Sequence, residues 1–77
     1  MIPRIREGDL IICRRTEILE NGMLAICVND KETLVKKIQK DGDSIILIST
    51  NPMYLPFLAA DDFRVVGEVK GIISGEL

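Results

Sequence analysis

The sequence predicts an all-β domain, namely a compact, strongly bent antiparallel sheet or partial barrel of about five to seven strands. Short apolar segments recur along the chain at regular intervals, and the turn dipeptides Asn21-Gly22 and Asp41-Gly42 separate several of them. The stretches that are compatible with helix, Thr16–Asn21 and Leu58–Asp62, are too short to form a stable element.

Five segments have the pattern of strands, and in chain order they are Asp9–Arg15, Met23–Val28, Lys31–Gln39, Ser44–Ser49 and Phe63–Ile73. The second segment is apolar throughout, which predicts a strand covered on both faces, and Asn29-Asp30 is the predicted turn after it. The last segment alternates strictly, and Gly67 and Gly71 on its inner face predict a bend or bulge. Thr50–Asp62 contains two prolines and is predicted to be an irregular loop.

The composition is that of one small globular domain. The chain has 77 residues, 47% of them hydrophobic and 29% charged, with a net charge of −2. The slight acidic surplus argues against nucleic-acid binding by this segment. Two cysteines and no histidine leave no metal site, and no cofactor is implied. No apolar run approaches the roughly 18–20 residues of a membrane span, so a cytoplasmic protein is predicted.

Lys36 is the residue whose position most strongly suggests chemistry. The period of two in a strand places Lys36 on one face with Leu34 and Ile38, whereas Lys37 points to the other face. Burial disfavours the charged form of a lysine, and a lysine can become a general base near neutral pH in this way. The alternative interpretation is a partly exposed strand whose lysine extends its ammonium to water.

Three segments form an ordered pattern together with a closing strand. They are Met1–Leu10 (MIPRIREGDL), Glu32–Ile38 (ETLVKKI) and Ile46–Pro56 (ILISTNPMYLP), followed by Val65–Val69 (VVGEV). At this order and spacing they resemble the C-terminal peptidase domain of LexA-like repressors, which also occurs in phage repressors and in self-cleaving mutagenesis proteins. The resemblance covers essentially the whole chain, so it implies a single peptidase and dimerisation domain over residues 1–77.

The resemblance implies a serine–lysine dyad that cleaves a peptide bond. The nucleophilic serine of the family's first motif is expected immediately before Met1, and it is therefore not in this chain. The positions that follow that serine in the motif are matched by Met1, Pro3, Gly8 and Asp9. Lys36 matches the catalytic lysine, the general base. A family signature that shapes the loop beside the active site is matched by Asn51, Pro52 and Tyr54, and we expect a structural role for this turn.

The resemblance also implies partners. The substrate in such proteins is their own upstream linker, and an activated recombinase filament promotes the cut in many members. Cleavage separates an N-terminal DNA-binding domain from a domain that holds a homodimer together. Both the DNA-binding domain and the linker are absent from this chain, so the chain is expected to be unable to cut itself or to hold DNA. A homodimer is expected, with the strand Phe63–Ile73 as the candidate surface for edge pairing.

Two alternatives for the function stay open. One is a purely structural dimerisation module of a transcriptional regulator, in which Lys36 has no catalytic role. The other is a peptidase like the signal peptidases, which share the serine–lysine chemistry, although this chain is very small and has no membrane anchor. Met1 is either the methionine of the family motif, where a longer repressor has been truncated, or a true start. We favour the first, because the match begins at the first residue.

Overall fold

The computed structural model describes residues 8–73, which form one antiparallel sheet of six strands. The strands are β1 (Leu10–Arg15), β2 (Leu24–Asn29), β3 (Glu32–Asp41), β4 (Ser44–Ile48), β5 (Phe57–Leu58) and β6 (Arg64–Ile73). Their order across the sheet is β1-β6-β2-β3-β4-β5, so β1 and β5 lie at the two edges and the sheet is not closed. The prediction of an all-β antiparallel sheet is confirmed.

The five predicted strands are all present, each with ends within two residues of the prediction. The prediction that Thr50–Asp62 is an irregular loop throughout is wrong, because β5 lies inside it. Phe57 and Leu58 pair with Leu47 and Ile46 of β4. A strand of two residues is too short for an alternating pattern to be recognised in the sequence.

Two consecutive residues after β5 reveal how strongly the sheet bends. The amide of Ala59 donates to the carbonyl oxygen of Ile45 at 2.9 Å, near the turn between β3 and β4. The amide of Ala60 donates to the side-chain oxygen of Asn29 at 2.7 Å, at the turn between β2 and β3. These two turns lie at opposite ends of β3, so neighbouring residues can reach both of them only if the sheet curls round.

The inner side of the curled sheet, called the core face below, carries the hydrophobic core. The core consists of Met23, Ala25, Ile38, Leu47 and Val65, and the half-buried side chains of Leu19, Ile45, Ala59 and Phe63 pack against it. Along β2, burial alternates between buried and half-buried positions. The prediction that this strand is covered on both faces is therefore wrong. Because residues 8–73 form one sheet, they supply no second layer over its outer face.

Two bulges interrupt β6 beside its glycines. The pairing register shifts where Ile26 and Cys27 of β2 face Gly67 and Val65, so Val66 is the extra residue. A second shift lies in the pairing with β1, where Ile12 and Cys13 face Gly71 and Val69, so Lys70 is the extra residue there. The predicted bulge is confirmed, but the predicted inner face is not, because the extra residue places Val65 and Gly67 on opposite faces of the sheet. A Cβ atom on Gly67 would lie 3.3 Å from the carbonyl oxygen of Arg14, which explains the glycine.

The turn between β2 and β3 is centred one residue later than predicted. Asp30 and Lys31 occupy it with φ of 50° and 65°, whereas the sequence indicated Asn29-Asp30. Both backbone amides donate to the carboxylate of Asp62, at 2.7 and 2.8 Å. These two bonds lower the pKa of Asp62 and fasten the segment before β6 to the turn.

Candidate active site

Lys36 lies in the middle of β3, on the core face of the sheet. Its partner across the strand pair is Ala25 of β2, which is fully buried. Two residues further along β3, Ile38 is also fully buried and faces Leu47 of β4. Lys36 itself is half-buried. The side chain of Lys36 therefore leaves the sheet beside fully buried apolar residues.

The buried thiol of Cys27 is a near neighbour of Lys36 on the core face. Cys27 is fully buried and pairs with Leu34, so it is a diagonal neighbour of Lys36 across the strand pair. Burial raises the pKa of the Cys27 thiol, and the positive charge of Lys36 opposes that rise. The ammonium and the thiol are therefore close enough to interact electrostatically.

The aromatic ring of Phe57 lies beside the ammonium group. The Nζ atom of Lys36 is 5.9 Å from the centroid of the ring, within the range of a cation–π interaction. Within residues 8–73, no carboxylate forms an ion pair with Lys36. The recorded contact of the Lys36 ammonium within these residues is therefore with an aromatic ring and not with a carboxylate.

The carboxylate of Glu68 lies on the core face two strands from Lys36, because Ala25 pairs with Lys36 on one side and with Glu68 on the other. Its Oε1 atom is 3.2 Å from a guanidinium nitrogen of Arg14 and 3.2 Å from the ammonium of Lys70. The hydrogen bond from Lys70 lowers the pKa of Glu68 most, and the charges of Lys70 and Arg14 act in the same direction. Glu68 is therefore ionised and already bound to two cations.

The Asn51-Pro52 segment forms a turn built on hydrogen bonds of Asn51. Its side-chain oxygen accepts from the amide of Met53 at 2.9 Å, and its backbone oxygen accepts from the amide of Tyr54 at 3.2 Å. Pro52 and Tyr54 are exposed. The side chain of Asn51 thus accepts a hydrogen bond from the backbone of the turn itself, at Met53, and the turn carries the chain towards Phe57.

The remaining predicted motif residues lie at the start of the described chain or before it. Gly8 has φ of 90°, a value that favours glycine, and the half-buried Asp9 follows it directly before β1. Because β1 is three strands away from β3, these two residues do not lie beside Lys36. Met1 and Pro3 lie outside the described residues, as does the position of the expected serine.

The sequence interpretation missed Phe57, Glu68 and Asp62. No local signal marks Phe57, since its approach to Lys36 depends on the pairing of β5 with β4. The charge pattern of the last strand contains Glu68 and Lys70, but Arg14 joins them only through the β1–β6 pairing. Asp62 is one of two adjacent aspartates, and nothing in the sequence distinguishes the one that binds the distant turn.

Two open grooves of about 400 and 370 Å³ lie around Ile45 and Phe63. Lys36 lines neither of them. Among residues 8–73, no cluster of acidic or sulfur-bearing side chains could hold a metal ion. The same part of the chain contains no helix with the length and apolar character needed to cross a membrane.

Comparison with known proteins identifies the family of the chain. A profile of the Peptidase S24-like family matches residues 1–70. The LexA repressor of Oleidesulfovibrio alaskensis is 39% identical over 69 residues, which are 87% of this chain and 33% of the relative. The LexA repressor of Dechloromonas aromatica is 32% identical over 74 residues, 92% of this chain and 37% of the relative. LexA repressor 1 of Xanthomonas campestris pv. campestris is 35% identical over 71 residues, 90% of this chain and 35% of the relative.

The class of protein is thus an all-β domain whose bent sheet carries a half-buried lysine on its apolar inner face. The chain belongs to the Peptidase S24-like family. It is a LexA-like peptidase domain that spans about a third of the length of the curated relatives it matches.

Proposed function

We propose that this chain is the self-cleaving and dimerising part of a LexA-type transcriptional repressor, with Lys36 as the general base. The observation that carries the proposal is the position of Lys36 on the apolar core face, within residues 8–73 that offer it no carboxylate partner. A general base must be free to accept a proton, and a lysine held by an ion pair is not.

The reaction requires a serine at the position immediately before Met1. The neutral amine of Lys36 accepts the proton of the serine hydroxyl while the serine oxygen attacks the scissile carbonyl carbon. When the tetrahedral intermediate collapses, the carbon–nitrogen bond breaks and the leaving amine takes the proton from Lys36. An acyl-enzyme remains, and a water molecule activated by the same amine hydrolyses it.

The substrate in this proposal is the protein's own upstream linker. The name LexA repressor of the relatives supports a role in transcriptional control. In this proposal an upstream domain makes the contact with DNA. An activated recombinase filament would promote the cut, and the protein would act in the cytoplasm. Cleavage would detach the DNA-binding domain from the dimerising domain.

A set of exposed apolar side chains supports dimerisation as the second activity of this domain. Leu10 faces Ile73 across the β1–β6 pair, and Ile12 lies on the same face as both. These side chains are 64%, 50% and 52% exposed, respectively. Between β6 and β2, the pairing ends at Glu68, so within residues 8–73 the segment from 69 to 73 has a ladder partner on the β1 side alone. The predicted edge pairing by the last strand is therefore possible for this segment but not for Gly67 and Glu68, which pair with β1 on one side and with β2 on the other.

The test is a chimera in which this chain replaces the matching segment of the Oleidesulfovibrio LexA repressor, so that the relative supplies the upstream residues. Purified chimera incubated at alkaline pH is expected to yield two fragments, because only the neutral amine can accept the serine proton. A matched chimera with the nucleophilic serine replaced by alanine is the control. If the chimera folds but stays intact under these conditions, the dimerisation module without catalysis becomes the better description.

A further inference from the structure

Phe57 occupies a defined place on the core face although its strand has only two residues. It pairs with Leu47 of β4, which in turn pairs with Ile38 of β3. Directly paired residues lie on the same face of a sheet, so Phe57 shares its face with Ile38 and Lys36. Its neighbour Leu58 points to the other face and is 66% exposed.

Hydrogen bonds hold the segment that carries Phe57 both before and after this residue in the sequence. Before it, the turn at Asn51 is closed by hydrogen bonds to Met53 and Tyr54. After it, the amide of Ala59 donates to the carbonyl oxygen of Ile45 at 2.9 Å. The ring is 41% exposed, so one side faces solvent while the other faces Lys36.

The ring lies where it can restrict the Lys36 side chain. A lysine ammonium is a point charge on a flexible stem of four carbons, and it is normally held by an opposite charge. Within residues 8–73, Lys36 forms no ion pair with a carboxylate. Its Nζ atom instead lies 5.9 Å from the centroid of the Phe57 ring. A cation–π contact at a partly exposed site corresponds to about a two- to fivefold change in population.

We propose that Phe57 is a positioning residue for Lys36, whose ring face holds the lysine side chain over the core face. The contact between Phe57 and Lys36 can be tested without reference to any activity of the chain. Its role in proton transfer rests on the proposed function, since it keeps the amine near the position that the serine must reach. In this proposal the turn at Asn51 also has a role, because it leads the chain to Phe57 and so places the ring beside Lys36.

Proton NMR of the 77-residue chain tests the contact directly. Protons above the face of an aromatic ring resonate upfield, so the ε-methylene protons of Lys36 are expected upfield of those of Lys37 and Lys40. Phe57→Leu, which keeps the apolar bulk, should remove this displacement. Phe57→Tyr should keep it, and so should Tyr54→Leu, the matched control that removes an aromatic side chain from the same segment.

The wild-type chain alone can overturn the contact, whatever the variants do. If its Lys36 ε-methylene protons resonate with those of Lys37 and Lys40, the ring does not hold the lysine. A displacement that survives in a folded Phe57→Leu chain would equally overturn the assignment to Phe57.

Self-cleavage in the chimera tests the positioning role. At an alkaline pH on the plateau of the rate profile, where losing the cation–π contact no longer changes the fraction of neutral amine, Phe57→Leu is expected to slow cleavage about two- to fivefold. Phe57→Tyr should cleave at the parent rate, and so should Leu55→Ala, which changes an exposed side chain of the same segment. Equal rates in all four chimeras would overturn the positioning role and leave the proposed function intact. If the parent chimera folds without cleaving, the proposed function fails instead, and the NMR comparison still decides whether the contact exists.

Discussion

Lys36 and Ala25 are directly opposed on β3 and β2, and the same Ala25 is opposed to Glu68 on β6. Lys36, Ala25 and Glu68 thus form a row across three strands of the core face, and the methyl side chain of Ala25 stands between the lysine and the carboxylate. Arg14, which binds Glu68, lies on β1 and is further from Lys36 in the strand order than Glu68 is. Lys70, which also binds Glu68, lies two residues further along the same strand. The small residue at position 25 thus keeps the lysine beside an apolar neighbour rather than a charged one.

The first prediction follows from this row. In Ala25→Asp, a carboxylate would stand directly opposite Lys36, and a carboxylate at that distance favours the charged form of a lysine. Self-cleavage of the chimera should fall by about tenfold or more relative to Ala25→Asn, the neutral isostere that disturbs the buried position equally. Rates are compared by gel at fixed pH, with urea unfolding to verify that both variants are folded. Equal rates in the two variants would show that charge at this position is irrelevant.

The second prediction concerns the bond between Asp62 and the turn at Asp30 and Lys31. The pKa of Asp62 is lowered in the folded chain by these amide bonds, so the stabilisation is present above the ordinary aspartate value of about 3.9 and is lost as pH falls through the folded value. Asp62→Asn should reduce the free energy of unfolding at neutral pH, and the difference from wild type should shrink in acid. Urea unfolding across pH measures this.

Asp61→Asn is the control for the second prediction, because it makes the same change at the adjacent, exposed residue. It should leave the free energy of unfolding nearly unchanged at every pH. A loss in Asp61→Asn as large as that in Asp62→Asn would contradict the assignment of the bond to Asp62.

The third prediction compares the two faces of the sheet. Ile38 is fully buried on the core face, whereas Ile46 is half-buried on the outer face. Ile38→Val should lower the free energy of unfolding by about 0.5–1.5 kcal/mol. Ile46→Val removes the same methylene from a position in partial contact with water and should cost less. Chemical denaturation of both variants would contradict the assignment of faces if Ile46→Val proved the more damaging.

The fourth prediction concerns dimerisation through the apolar patch formed by Leu10, Ile12 and Ile73. Ile12→Lys places a charge in its middle and should shift the chain from dimer to monomer in light scattering. Ile18→Lys makes the same change at a residue that is 67% exposed and lies between β1 and β2, and it should leave the dimer intact. A wild-type chain that stays monomeric at high concentration would remove the basis for this surface.

Sequence reasoning succeeded where the information is local. The face on which Lys36 lies follows from the period of two within one strand, and the structure places Lys36 opposite Ala25 in that way. The bulges in β6 were indicated by its glycines, but the faces beyond them were not, because one extra residue at Val66 reverses the alternation. Pattern alone cannot count residues through a bulge.

What the sequence could not supply are contacts between distant segments. Phe57 reaches Lys36 through a two-residue strand whose pairing partner lies ten residues earlier, at Leu47. Asp62 binds a turn 31 and 32 residues away in the chain. Such contacts depend on how the sheet bends, and no periodicity records that bend.

The central claim, that Lys36 is the general base, is tested most directly by two matched substitutions in the chimera. Lys36→Ala and Lys37→Ala remove adjacent lysines that point to opposite faces of β3, as their partners Ala25 and Leu24 show. Lys36→Ala is expected to slow self-cleavage by about 10²–10⁴-fold, the usual contribution of a general base, whereas Lys37→Ala should cleave at nearly the parent rate. Undiminished cleavage in a folded Lys36→Ala chimera would contradict the claim.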